Sequence, residues 1–123
     1  MSVIRVAFVF EVFRTEWTGG INYFLNLIRT LNTRKDSRIQ IIVFAGYDVN
    51  LHGMEAYAQV IRCQLLDKKN VSRKIRKVIQ KIFHIDLILY GLLKLHNINC
   101  LSHFDYLWKG SSIPTLCWIA DFQ

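Results

Sequence analysis

Polar side chains that could do chemistry stand where apolar, strand-like runs end. His103 and Asp105 follow the run that starts at Ile98, and Asp121 follows the run that starts at Ile113. The carboxyl ends of parallel strands meet at one edge of a sheet, so these side chains are expected to face one cleft. A histidine can exchange a proton near neutral pH, and an aspartate can orient a hydroxyl. The alternative is that these polar groups are satisfied by the backbone or by water.

A glycine pair, Gly19-Gly20, opens a helical pattern after the apolar run Ile4–Phe10 and a loop. Glycine lets a ligand approach the backbone, and a helix start presents N–H groups and a positive dipole end. The pair could therefore hold an anionic group, with Thr18 as the predicted helix cap. Neither a G-x-G-x-x-G dinucleotide motif nor a P-loop is present, and a glycine pair that only permits a tight turn remains the alternative.

Positive charge is concentrated in one segment of the chain. The formal net charge is +7, and residues 68–81 contain seven cations and no acid: Lys68, Lys69, Arg73, Lys74, Arg76, Lys77 and Lys81. An apolar set at helical spacing runs through the same segment: Val71, Ile75, Val78, Ile79, Ile82 and Phe83. A basic amphipathic helix suits an anionic membrane surface, whereas a solvated helix face is the alternative. No nucleic acid is expected as a partner, because aromatic residues for base stacking are nearly absent there.

Length and composition indicate one folded unit. The 123 residues are 52% hydrophobic, which suffices for a core, and we expect a single domain over residues 1–123. The three cysteines lie far apart in apolar runs, so they predict neither a disulfide framework nor a metal site. No secretory signal is recognisable, and the apolar stretch Ile85–Leu95 is too short to cross a bilayer. The sequence therefore predicts a cytoplasmic protein.

The order of predicted elements indicates an α/β fold. Strands are expected at Ile4–Phe10, from Ile39 to Phe44, at Gln59–Leu65, at Ile98–His103 and from Ile113 to Ala120. Helices are expected from Gly20, beyond Asp67 and over Ile85–Leu95. Strongly apolar strands that alternate with helices predict an open, Rossmann-like sheet of mostly parallel strands.

Two segments carry a resemblance to a known family. They are Thr18-Gly19-Gly20 leading into Ile21-Asn22-Tyr23-Phe24, and Pro114-Thr-Leu-Cys-Trp-Ile-Ala-Asp-Phe-Gln123. With the first strand and the run Asn97–His103, they resemble the N-terminal half of a GT-B glycosyltransferase of the family 4 type. The second segment is similar to the W-I-x-D-F-Q stretch of some bacterial members. The resemblance spans the whole chain and about the first third of such an enzyme, so the sequence is expected to be part of a longer protein.

The resemblance implies a function and a role for each candidate residue. These enzymes are retaining and use a nucleotide-sugar as co-substrate rather than a cofactor; their N-terminal domain binds mainly the acceptor. Gly19 and Gly20 would lie against the donor diphosphate. Many members carry a histidine that contacts the sugar just after the fifth strand; Ala120 stands near that place here, so its catalytic role would pass to Asp121 or belong to residues beyond Gln123.

Further positions follow from the same resemblance. Glu11, Arg14 and His103 would border a glycan or lipid-linked acceptor. The basic segment would hold the enzyme at the inner face of the membrane, through Arg73, Lys74, Arg76, Lys77 and Lys81. Without a second, donor-binding domain, the isolated chain is expected to be inactive. A non-catalytic interaction fragment and a basic nucleic-acid-binding domain remain the alternatives.

Overall fold

The computed structural model describes residues 3–10, 18–34, 38–47, 49–66, 71–83, 87–103 and 112–116. The strands and helices in chain order are β1 (Ile4–Phe10), α1 (Thr18–Asn32), β2 (Ile39–Ala45), β3 (Gln59–Arg62), α2 (Val71–Phe83), α3 (Leu87–Leu95), β4 (Cys100–Ser102) and β5 (Thr115–Leu116). Single 3₁₀ turns at Met54–Ala56 and Gln64–Leu66 flank β3. Among these helices, none is both long and apolar enough to cross a membrane.

The strands form one open sheet in the order β3-β2-β1-β4-β5, and each neighbouring pair is parallel. From β1 the chain builds outward through β2 and β3, and it then returns to the other side of β1 for β4 and β5. The prediction of an α/β, Rossmann-like parallel sheet is confirmed. The strand order places a topological switch point between β1 and β4, where such sheets bind their ligands.

Each face of the sheet carries its own apolar core, which explains why β1 is apolar at successive positions. Ala7 belongs to the core that includes Leu89 and Leu93 of α3. Phe8 belongs to the opposite core, which includes Phe24 and Ile28 of α1. Because side chains alternate between the two faces of a strand, a strand covered on both sides needs apolar residues at every position.

Two strands are shorter than predicted because neighbouring turns use their residues, and β5 begins at Thr115 rather than at the predicted Ile113. Ile98 does not begin β4: its N–H donates to the carbonyl of Leu93 at 3.0 Å, and the Asn97 N–H donates to that of Lys94 at 3.1 Å. Asn97 has a φ of 57°, so the four residues form a Schellman end to α3. Likewise β3 ends at Arg62, after which the chain enters a 3₁₀ turn.

Arg5 fixes the start of β1 to the segment that leads into β4. Its Nε donates to the carbonyl of His96 at 3.0 Å, where the positive charge also favours the C-terminal end of the α3 dipole. Its backbone N–H donates to Oδ1 of Asn99 at 2.8 Å, and its Nη1 donates to Oε1 of Gln40 at 2.7 Å. These bonds join the start of β1 to the segment before β4 and to β2.

Candidate functional site

His103 lies at the switch point. It directly follows β4, whose neighbour β1 ends at Phe10 on the same edge of the sheet. Phe8, Phe10 and Phe24 line a shallow depression there together with Ser102 and His103. The structure places His103 at this edge, and its predicted role there stays a prediction. Its predicted companions Asp105 and Asp121 lie outside the described residues.

The backbone holds His103 in an unusual conformation. Its φ is 58°, in the left-handed region that few residues other than glycine adopt. Its N–H donates to the carbonyl of Leu116 on β5 at 2.7 Å, so the neighbouring strand fixes this turn. Residues kept in sparsely populated conformations cluster at functional sites, which makes His103 a stronger candidate than an ordinary strand-end residue.

Both ring nitrogens of His103 contact hydroxyl groups. The Tyr23 hydroxyl lies 3.1 Å from Nε2, and Oγ of Ser102 lies 2.7 Å from Nδ1. A neutral imidazole donates through one nitrogen and accepts through the other, so in either tautomer one hydroxyl donates to the ring and the other accepts from it. Tyr23, His103 and Ser102 therefore form a short chain along which hydrogen-bond direction can reverse.

Aromatic rings hold the imidazole in place and lower its basicity. The ring stacks on Phe8, with centroids 5.5 Å apart, and meets the edge of Phe24 at 5.1 Å. Partial burial lowers the pKa of His103 from its ordinary value of 6.5, because the charged form loses hydration. Burial therefore favours the neutral form of the imidazole at pH 7. The neutral imidazole suits binding of a neutral hydroxyl better than pairing with an anion.

Tyr23 gives the site an exposed aromatic surface. It was not among the candidate site residues predicted from the sequence. The side chain is 42% exposed, and its ring lies 5.6 Å from that of His103. Ser102, which is buried, was also not predicted. The sequence did contain a signal for Tyr23. This residue lies four positions after Gly19 and three after Gly20, so it shares a face of the helix with the glycine pair.

The glycine pair lies within α1 rather than before it. The helix begins at Thr18, so Thr18 is its first helical residue and not the preceding cap as predicted. Gly19 and Gly20 occupy its first turn, and α1 starts at the same sheet edge at which β1 ends. This position is compatible with the predicted role of holding an anion. The other predicted residues of this edge, Glu11 and Arg14, lie outside the described part of the chain.

The basic helix differs from the prediction at one residue. Arg76 was predicted to lie on the exposed basic surface, but it is 1% exposed. Lys74, Lys77 and Lys81 are exposed as expected, whereas the side chain of Arg73 is not described. Successive residues of a helix lie about 100° apart, so Arg76 can face the protein while its neighbours Ile75 and Lys77 stay exposed.

Two other polar features offer fewer groups that are suited to ligand binding or catalysis. Nη1 of Arg62 donates to the carbonyls of Gly46 and Val49 at 2.7 and 2.6 Å, and Nη2 lies 3.3 Å from Oε1 of Glu55, so this cation fixes a loop. A second cleft, bordered by Gln40 and Tyr57, opens by the start of β2 and β3, opposite the ligand-binding edge. In the described ranges, no group of three histidine, cysteine or carboxylate residues could hold a metal ion.

Comparisons with protein-family models, with curated proteins and with solved structures found no match to this chain. The fold class therefore stands on the strand order and the parallel pairing. Functional assignment stands on the site at His103 and on the sequence motifs.

Proposed function

We propose that this chain is the acceptor-binding half of a retaining, nucleotide-sugar-dependent glycosyltransferase of bacterial glycan, polysaccharide or lipopolysaccharide synthesis. The observation that carries the proposal is the imidazole of His103, contacted by a hydroxyl at each ring nitrogen, at the switch point of a Rossmann-like sheet. The Thr18–Phe24 and Pro114–Gln123 segments add the resemblance to the family 4 type. Of these, Thr18–Phe24 forms the first two turns of α1 and contains Tyr23.

The chemistry of the site suits a sugar hydroxyl. Sugars present several hydroxyl groups and patches of C–H, so they bind where a few polar groups stand beside an aromatic surface. When the Tyr23 hydroxyl turns away, Nε2 of His103 becomes available to a sugar hydroxyl. A neutral imidazole can donate or accept there, depending on its tautomer, without a change of charge. The exposed Tyr23 ring then offers the apolar contact. Ser102 keeps the imidazole oriented through Nδ1.

The remaining roles follow from the resemblance. Gly19 and Gly20, in the first turn of α1, would border the donor diphosphate, and Glu11, Arg14 and Asp121 would complete the acceptor and catalytic positions. The nucleotide-sugar would contact mainly a second domain, so binding to these residues alone is expected to be weak. Transfer by the isolated chain is not expected.

Proton NMR of the histidine rings tests the proposal, because it detects weak binding. The probes are UDP-glucose, UDP-galactose, UDP-N-acetylglucosamine and GDP-mannose, together with methyl glycosides as acceptor analogues. We expect at least one methyl glycoside to shift the His103 ring signals, which the variant His103→Gln identifies by their loss. His96, at the opposite edge of the sheet, is the internal control and should not shift.

Three outcomes would contradict the proposal. The first is a His103 signal that no sugar perturbs in a folded sample. The second is an equal shift at His96, which would indicate non-specific effects. The third is saturable, salt-sensitive binding of a single-stranded or duplex oligonucleotide at this edge, which would favour a nucleic-acid-binding domain instead. Tyr23→Phe, which keeps the ring but loses the hydroxyl, should retain sugar binding, whereas Tyr23→Ala should lose most of it.

A further inference from the structure

The outward surface of α2 consists of two parallel stripes. One is apolar and contains Ile75, Val78 and Ile82; the other is basic and contains Lys74, Lys77 and Lys81. Both stripes have the same i, i+3, i+7 spacing and are offset by one residue, so they run side by side along the helix. The apolar side chains are 52%, 55% and 63% exposed.

This orientation is unusual because the helix could have buried its apolar stripe. It instead turns Arg76 inward, with Ile79 and Gln80 half-buried beside it. Its main contacts are with the 3₁₀ turn at Gln64–Leu66 and with α3. None of the described α2 side chains belongs to either apolar core. The exposed apolar stripe of α2 is therefore separate from both apolar cores of the sheet.

We propose that this surface of α2 docks on an anionic lipid bilayer, with the helix lying in the plane of the membrane. The apolar stripe would enter the boundary between headgroups and acyl chains, and the lysine stripe would contact anionic headgroups. The proposal goes beyond the proposed function, since it involves no sugar and no residue of the His103 site.

Charge decides between a bilayer and other occupants. The segment 68–81 has no acidic residue, so no negative charge opposes the lysine stripe, which is complementary to a negative partner. A second copy docked through the same surface would bring two lysine stripes together and repel. A nucleic acid would match the lysines but would leave the aliphatic stripe in water. A lipid surface satisfies both stripes at once.

Vesicle co-sedimentation of the 123-residue chain provides the test. We expect binding to vesicles of phosphatidylglycerol and phosphatidylcholine in equal parts, and much weaker binding to phosphatidylcholine alone. Raising salt from about 0.05 M to about 0.5 M should weaken binding, because screening removes the lysine contribution and leaves the apolar one.

Two triple variants separate the stripes, and each has a matched control. Lys74→Gln, Lys77→Gln and Lys81→Gln together should lower the partition coefficient about 100-fold and weaken its salt dependence. The control removes the same charge elsewhere, at three exposed cations: Arg34→Gln, Arg38→Gln and Lys94→Gln.

The apolar triple variant is Ile75→Gln, Val78→Gln and Ile82→Gln, which should lower partitioning at least about tenfold while keeping the salt dependence. Its control replaces three exposed aliphatic residues on or beside strands, through the changes Val3→Thr, Ile4→Thr and Leu116→Thr. Far-UV circular dichroism and thermal melting verify that each variant is folded.

Several results would overturn the proposal. Equal binding to neutral and anionic vesicles, or no binding to either, would exclude an anionic bilayer. Equal losses in helix variants and their controls would exclude this surface. Self-association that the apolar triple variant abolishes, seen by sedimentation velocity without lipid, would identify a second copy as the occupant. Oligonucleotide binding that needs the lysines but not the aliphatic residues would identify a nucleic acid.

Discussion

Arg76 and Lys77 are adjacent cations on one helix that the structure places in opposite environments. Arg76 is 1% exposed, whereas Lys77 is exposed. Throughout the described residues, no buried side-chain nitrogen or oxygen lacks a hydrogen-bond partner, so the buried nitrogens of Arg76 are bonded. A buried charge costs solvation that only its partners can restore, and removing one member of such an arrangement leaves the other unsatisfied.

We expect Arg76→Met to lower the free energy of unfolding by about 3 kcal/mol, the lower end for breaking a buried ion pair or its equivalent. For a chain of 123 residues, an unfolding entropy of about 2.1 cal/mol/K per residue converts this to a fall in Tm of roughly 12 °C. Lys77→Met should change stability by less than about 0.5 kcal/mol, since its side chain already contacts water. Arginine, lysine and methionine have similar helix propensities, so the difference reports burial.

Urea denaturation followed by far-UV circular dichroism measures both variants, and thermal melting provides a second reading. Arg76→Lys adds a third point: it keeps the charge but loses the planar hydrogen-bonding fork, so we expect a stability between those of the parent chain and Arg76→Met. A pair of Met variants that agree within about 0.5 kcal/mol would refute the inward orientation of Arg76, and with it the outward orientation of the aliphatic stripe.

Three further predictions concern single residues. Asn97→Ala should destabilise the fold by about 1 kcal/mol, because alanine tolerates a φ of 57° poorly, whereas Asn97→Gly should cost little; equal effects in urea denaturation would contradict this. The depressed pKa of His103 means that the unfolded chain binds more protons below about pH 6.5, so stability should fall from about pH 7.5 to about pH 5.5, and less so in His103→Gln; identical Tm profiles would contradict this. Burial raises the pKa of the Cys100 thiol, so iodoacetamide should alkylate Cys100 more slowly in the folded than in the urea-unfolded chain, by peptide mapping; equal rates would contradict this.

Much of the fold could be predicted because local patterns fix it. The bounds of β1 agree with the prediction, and α1 and α2 form where apolar residues recur at helical spacing. The errors lie where a turn competes with a strand, as at Ile98, whose N–H completes the end of α3. The hydrogen bond from the Ile98 N–H to the Leu93 carbonyl joins residues five apart, and an alternation of apolar and polar residues does not predict such a bond.

The candidate site was predictable only in part. His103 was identified from its place after a strand, and the structure puts it at the switch point. Tyr23 was missed, because its contact with His103 spans 80 residues of sequence and arises only in the folded sheet. The functions predicted for Glu11, Arg14 and Asp121, which the structure does not describe, stay predictions.

The sequence by itself determined the parallel α/β character, the place of His103 after the fourth strand and the concentration of charge in 68–81. These depend on composition and on spacing along one element, which local sterics and hydrophobicity translate directly into structure. Only the tertiary structure decided the strand order, and therefore which strand ends share the crevice. It also decided which face of α2 meets the protein. A helix with both an apolar and a basic stripe can pack in more than one rotation, and its neighbours turned Arg76 inward and left Ile75, Val78 and Ile82 exposed.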